Sequence, residues 1–164
     1  RVAGIDLMHK LVAMAHENKQ KIYLLGAKQQ VVEKVANTYA KQYSQELVAG
    51  YRNGYFSPQQ EVQIATDIAQ SGAQLLFVAI SSPMKENFLY KHRDILQGVH
   101  FIMGVGGSFD VVAGITKRAP KWMQNAGLEW FYRFAQEPKR MWKRYLLGNS
   151  AFIYLVLKEK FKKT

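Results

Sequence analysis

The chain has 164 residues, 48% of them hydrophobic and 21% charged, which suits one folded domain with a real core rather than a disordered segment. It contains no cysteine, excluding disulfides and thiolate chemistry, and no apolar run reaches the roughly 18–20 residues of a membrane-spanning helix. The net charge of +11 is concentrated: residues 1–116 hold 11 Lys/Arg against 9 Asp/Glu, while 117–164 hold 12 against 3, so the last third expects an anionic partner.

In chain order, IDLMHKLVAMA (5–15) repeats apolar residues at helical spacing, and KIYLLGA (21–27) has the outline of a buried strand. Val31, Val32, Val35, Ala36, Tyr39, Ala40 and Tyr43 form a second helical stripe. A weak strand, ELVAGY (46–51), precedes the turn-rich RNGYFSP (52–58). Ser57-Pro58 reads as a helix cap followed by an N1 proline, with Val62, Ala65, Ile68 and Ala69 as the inner face beyond it and Ser71-Gly72 as its stop. AQLLFVAI (73–80) predicts a strand covered on both faces, SSPMKENFLYKH (81–92) another cap, proline and helix, and VHFIMGVGG (99–107) a strand and its turn. No strand is expected beyond residue 108. KWMQNAGLEWFYRFAQ and the segment from Pro138 read as helices broken near Gly127 and Pro138.

This alternation predicts an α/β fold: a Rossmann-like parallel sheet with helices on both faces over 1–116, then a basic helical appendage over 117–164. The chain opens at Arg1 already in an apolar pattern, with no signal-like leader, and reads as a piece of a longer protein.

Ligands of such sheets bind at the carboxyl ends of the strands. Here those ends are LLGAK (24–28), AISSPMKE (79–86) and GVGGSFD (104–110). Glycine turns let backbone N–H groups approach phosphate, although GVGGSFD also suits a plain strand-to-helix turn. It is neither a P-loop nor a GxGxxG fingerprint, whose last position would be Phe109. Asp110 can cap backbone donors or accept from a ribose or base, and Tyr55 can be a site phenol or a packed turn aromatic. There is no Asp-x-Asp pair for a nucleotide-bound metal and no G-x-S-x-G elbow. His9, His16, His92 and His100 make no ligand spacing and read as structural or surface residues.

The stretch EWFYRFAQEPKRMWKRY (129–145) mixes six large rings with five cations. Nucleic acid would use the cations on phosphates and the rings on bases. A membrane surface would gain about 1 kcal/mol per Lys/Arg and seat Trp130 and Trp142 in the interfacial layer. An amphipathic helix with buried rings is the plain alternative. Exposed apolar tail residues also suit a homo-oligomer contact. By composition alone membrane and nucleic acid stay close, and the parallel sheet with phosphate-friendly turns favours a nucleotide-linked enzyme working at a membrane.

The block GVGGSFDVVAGITKRAPKWMQNAGLEWFYRFAQEPKRMWKRYLLGN (104–149) closely resembles the hallmark of the WecG/TagA/CpsF glycosyltransferases, family 26, and RVAGIDLM (1–8), YLLGAK (23–28), NGYF (53–56) and SSPMKE (81–86) agree with it. The resemblance implies a bacterial inverting transferase. It would move an N-acetylmannosamine-type sugar from a UDP donor to undecaprenyl-diphosphate-linked N-acetylglucosamine for cell-wall polymer or exopolysaccharide assembly. It implies UDP at the carboxyl edge of the sheet, no metal or other cofactor, no nucleic acid as partner, and a peripheral position on the inner face of the plasma membrane.

Carried over by position, Gly104, Gly106, Gly107, Asp110, Tyr55, Glu86 and Gly26 would lie against UDP. Arg133 and Arg140 would stabilise diphosphate, and Arg118, Lys143 and Arg144 would serve the acceptor or membrane. Met84-Lys85 departs from the Lys-Gln or Lys-Lys of many members. The family's aspartate, taken as general base, is expected upstream of RVAGIDLM, and neither Asp6 nor Glu86 replaces it. A silent scaffold, or a basic nucleic-acid module, is the alternative reading.

Overall fold

The computed structural model describes residues 3–136, together with Pro138, Lys158 and Glu159. The chain divides into two compact units, Arg1–Ile115 and Thr116–Thr164.

The first unit is built on four strands: β1 (Ile22–Gly26), β2 (Val48–Arg52), β3 (Leu75–Ala79) and β4 (Phe101–Gly104). They pair in the order β2-β1-β3-β4, all parallel. All five residues of β1 are buried, as are four of the five in β3, so neither strand alternates between apolar and polar. Both of their faces are covered, which is why they read as continuous apolar runs. Ile22, Leu24, Leu75 and Phe77 point to one face. There they meet α1 (Gly4–Glu17), α2 (Gln29–Gln42) and α5 (Ser108–Val112) through Met8, Val12, Val32, Val35 and Phe109. Tyr23, Leu25, Leu76 and Val78 point to the other, against α3 (Glu61–Gln70) and α4 (Met84–Lys91) through Ile64, Ile68 and Phe88. Fully burying side chains of this size contributes about 1.5–3 kcal/mol each, and the two cores clamp the sheet between them.

The four expected strands and the stripe on α2 are all present, with Val31, Val32, Val35, Ala36 and Tyr39 buried. Tyr39 sits deep enough that burial pushes its phenol pKa up, and its hydroxyl meets His9 Nδ1 at 3.0 Å. His16 packs its ring on Tyr43, so both α1 histidines have structural contacts. Two expectations for the later helices need correction. Val62 is 54% exposed, and the inner face of α3 is Ile64, Ala65 and Ile68. Ser57 and Gln60 do form a capping box, but around a 3-10 turn, Pro58–Gln60, that delays α3 to Glu61. That delay leaves Val62 in a first turn facing out. At α4 the N-cap position is Pro83, after a cis Ser82–Pro83 bond, and the Ser82 hydroxyl donates to Glu86 Oε1 (2.8 Å) instead of capping a backbone N–H.

The second unit contains α6 (Lys121–Asn125) and α7 (Glu129–Gln136), broken at Gly127 with φ +74°. The side-chain amide of Gln136 holds Lys117 at both backbone groups, accepting from its N–H (3.1 Å) and donating to its carbonyl (3.0 Å). Met123 and Ala119 are buried, whereas Trp122, Trp130 and Phe131 are half exposed or more. The helix expected after Pro138 lies almost wholly outside the described residues.

Gly26 ends β1 at φ +129°, and a Cβ there would meet the Ala79 backbone at 2.5 Å. Gly72 has φ +72° but open space around it. Gly26→Ala should therefore lower stability by about 3 kcal/mol or more, combining strain and collision. Gly72→Ala should cost about 1 kcal/mol, from backbone conformation alone. Urea denaturation of the two variants measures the difference.

Candidate active site

From β1 the chain crosses to β2 on one side, and the next strand, β3, returns to the other side of β1. The carboxyl ends of β1 and β3 thus flank the point where the strand order reverses, and helices leaving in opposite directions open a crevice there.

Three loops are tied together at this point by backbone hydrogen bonds. The Ala27 N–H donates to the Ala79 carbonyl (3.1 Å), and the Gly54 N–H donates to the Ala27 carbonyl (2.9 Å). Gly54 comes so close that a Cβ on it would lie 3.1–3.3 Å from Gly26 Cα, Ile80 Cγ1 and Ala27 N. Asn53 shapes the loop further. Its Oδ1 accepts from the Tyr55 N–H (2.9 Å), an Asx turn, while its Nδ2 donates to Gln29 Oε1 (3.0 Å) at the start of α2. The Tyr55 ring is left 71% exposed at the edge of the sheet.

On the far side, the Val105 N–H donates to the Val78 carbonyl (2.9 Å), carrying β4 into the glycine turn. Gly106 takes φ +50°, Ser108 opens α5, and Phe109 is driven into the core, which fixes Asp110 half buried in the next position. Between these loops, Lys85 Nζ pairs with Glu86 Oε1 at 3.0 Å. The Glu86 carboxyl is held below the usual range, chiefly by the hydrogen bond from Lys85, then by its own backbone N–H and by the Ser82 hydroxyl. A lowered pKa makes it a poor proton acceptor at neutral pH.

Gly26, Tyr55, Glu86, Gly104, Gly106, Gly107 and Asp110 all lie on strand ends, loops or helix starts at the carboxyl edge of this one sheet. Arg118 belongs to the second unit, where its Nε lies 3.6 Å from Glu129 Oε1. Arg133 falls within α7, but its side chain lies outside what is described, as do Arg140, Lys143 and Arg144 altogether. Lys85 stands out in the sequence only as part of the SSPMKE turn and its Met84-Lys85 departure from the family pattern, with no contact of its own assigned. Its part became visible only through Gly104, whose added Cβ would lie 2.9 Å from Lys85 Nζ.

Beside the crevice, Phe56, Pro58, Ile80, Met84 and Phe88 line a slot of about 220 Å3 whose polar wall includes Glu61. Glu61 Oε2 accepts from Lys91 Nζ (2.8 Å) and meets buried His92 Nε2 at 3.2 Å. A larger cavity of about 590 Å3, between His16, Lys19, Lys21 and Glu46, sits where the strands begin. It is far from the glycine turns and carries mixed charge, so the smaller space at the strand ends is the better candidate. Among the described residues, no group of three or more His, Cys, Asp or Glu side chains is placed to hold a metal ion.

An open parallel sheet with glycine turns at its switch point is the architecture of nucleotide-binding, Rossmann-like proteins. The whole chain, residues 1–164, matches the model of the Glycosyl transferase WecG/TagA/CpsF family. It is also 38% identical over all 164 residues to the N-acetylglucosaminyldiphosphoundecaprenol N-acetyl-beta-D-mannosaminyltransferase of Bacillus subtilis (strain 168), spanning 62% of that protein's length. The chain belongs to the WecG/TagA/CpsF glycosyltransferase family.

Lys91 is the largest cause of the lowered Glu61 pKa, partly opposed by burial and supported by His92. A carboxyl whose folded pKa lies below its ordinary 4.5 stabilises the fold above that pH and loses the contribution as pH falls through the folded value. Glu61→Gln should cost about 1 kcal/mol at pH 7 and progressively less towards pH 3. Thermal unfolding of both proteins across that range should show the gap closing.

Proposed function

We propose that this protein is an inverting glycosyltransferase that moves an N-acetylmannosamine-type sugar from a UDP donor to undecaprenyl-diphosphate-linked N-acetylglucosamine, in the assembly of a bacterial cell-wall polymer or exopolysaccharide. The observation that carries the reading is the switch-point crevice. It gathers the residues expected against UDP at one sheet edge, in a chain that shares 38% identity with a transferase of that name.

In this reading the donor's diphosphate lies towards the Gly104–Gly107 turn, where the exposed backbone of Gly106, with open space in place of a Cβ, permits close approach. Asp110 accepts from the ribose or base, and Tyr55 borders the opening. The acceptor hydroxyl attacks the anomeric carbon as the bond to the UDP oxygen breaks, so negative charge grows on the departing diphosphate. Arg133 and Arg140 are the groups assigned to stabilise that charge. The proton leaving the acceptor goes to a base that is not assigned here, and Glu86, already ion-paired with Lys85, is unsuited to the task.

The second unit is assigned to the lipid-linked acceptor and an anionic membrane surface, with Arg118, Lys143 and Arg144 contributing charge. No helix among the described residues is long and apolar enough to cross a membrane. Half-exposed Trp122, Trp130 and Phe131 beside a strongly cationic sequence support a peripheral attachment instead, at the cytoplasmic face of the plasma membrane. No metal is assigned to the reaction.

The test is transfer from UDP-N-acetylmannosamine to a short-chain lipid-diphosphate N-acetylglucosamine, following UDP release and glycolipid product. Arg133→Ala and Arg140→Ala should each reduce kcat about 100-fold, with donor affinity changed much less. Activity should persist in EDTA. UDP binding without product would redirect the search to another sugar or acceptor. No UDP binding, with salt-dependent binding to nucleic acid, would overturn the reading.

A further inference from the structure

We infer that Lys85 is the cation of the sheet edge that receives the donor's diphosphate, its stem lying across Gly104 in the room that the missing side chain leaves. The inference rests on the nucleotide-sugar reading above and names a residue that the reading does not use.

Lys85 is in the first turn of α4, directly after the turn that ends β3. Its neighbours Met84 and Glu86 are about half exposed, but the Lys85 side chain is only 23% exposed. The side chain runs sideways onto the adjoining strand. A Cβ built on Gly104 would lie 3.1 Å from both Cδ and Cε of Lys85 and 2.9 Å from Nζ. The aliphatic stem therefore occupies the volume that a side chain at 104 would need. The ammonium is delivered to the point where β4 passes into Val105, Gly106 and Gly107.

A solvated surface lysine would keep its rotamer freedom and stand more exposed than this one. Here two separate features fix the head. Glu86 holds Nζ at 3.0 Å, and the Ser82 hydroxyl donates to that same carboxylate oxygen at 2.8 Å, which anchors the carboxylate. An ammonium has three donors, and one carboxylate oxygen takes one of them. The arrangement presents a positioned point charge at the glycine turn. This suits a phosphate oxygen better than a neutral sugar or base, because Lys binds phosphate as a compact charge. Glu86 acts through Lys85 as a positioning residue, and a bound diphosphate would compete with it for the ammonium.

The measurement is the affinity of the chain for UDP, UMP and uridine by titration calorimetry. Lys85→Met should weaken UDP about 10- to 100-fold, UMP less, and uridine negligibly. Lys85→Arg, which keeps the charge, should recover much of the loss. Gly104→Ala keeps the lysine but pushes it off the strand, and should also weaken UDP more than uridine. Thermal melts confirm that each variant is folded. If Lys85→Met retains the wild-type ratio of UDP to uridine affinity, the assignment fails while the functional reading stands. If the wild-type chain does not bind UDP, both fail together.

Discussion

The arrangement at the sheet edge depends on the contact between the end of β1 and the end of β3. Gly26 and Ala79 approach so closely that a single added carbon would sit 2.5 Å from the Ala79 backbone. This permits the Ala27 N–H to reach the Ala79 carbonyl, and the Gly54 N–H then to reach the Ala27 carbonyl. Three connections with no sequence proximity are thereby fixed to one another by backbone alone. Their positions depend little on side-chain rotamers, which is the kind of support a binding site needs.

Around that contact, each layer of the fold has a second task. The core on one face holds α2, and α2 supplies Gln29 to the Asn53 side chain that shapes the Tyr55 loop. The core on the other face holds α4, and α4 carries Lys85 and Glu86. Glu61, Lys91 and His92 join the start of α3 to the end of α4, while Phe56, Phe88 and His92 pack ring against ring beneath the slot. Phe109 does the same for the glycine turn: its burial determines where Asp110 is held in the first turn of α5. The site is thus a by-product of packing carried to the ends of the strands.

The two units divide the physics as well as the chain. In the first, charge is nearly balanced and stability comes from two apolar cores. In the second, the sequence is strongly cationic, and a polar clamp, Gln136 on Lys117, fastens the segment before α6 to α7. Its Trp122, Trp130 and Phe131 spend much of their surface in water, which is costly for an isolated soluble helix and ordinary for a surface that meets lipid.

Periodicity and burial made most of the body legible in advance. β1 and β3 announce themselves because both faces are covered, and α2 because its valines recur at helical spacing. The turns around 26, 53–55, 81–86 and 104–107 were readable as turns, because strand ends require particular residues whatever the rest of the fold does, whereas their assignment to UDP follows from the family resemblance. On α3 Ala65 and Ile68 were readable as the inner face, but Ile64 in place of Val62 was not, because a 3-10 turn of three residues delays the helix to Glu61. Nor was the role of Ser82, whose hydroxyl chose a carboxylate one helical turn away over the backbone. The sequence by itself determined most of the elements and the charge division, because these follow from local spacing and composition, and its motifs carried the family resemblance. Only the tertiary structure decided the order β2-β1-β3-β4, and with it the crevice and the passage of Lys85 over Gly104. Those depend on which strands become neighbours, and strand pairing is a non-local choice made by the whole core.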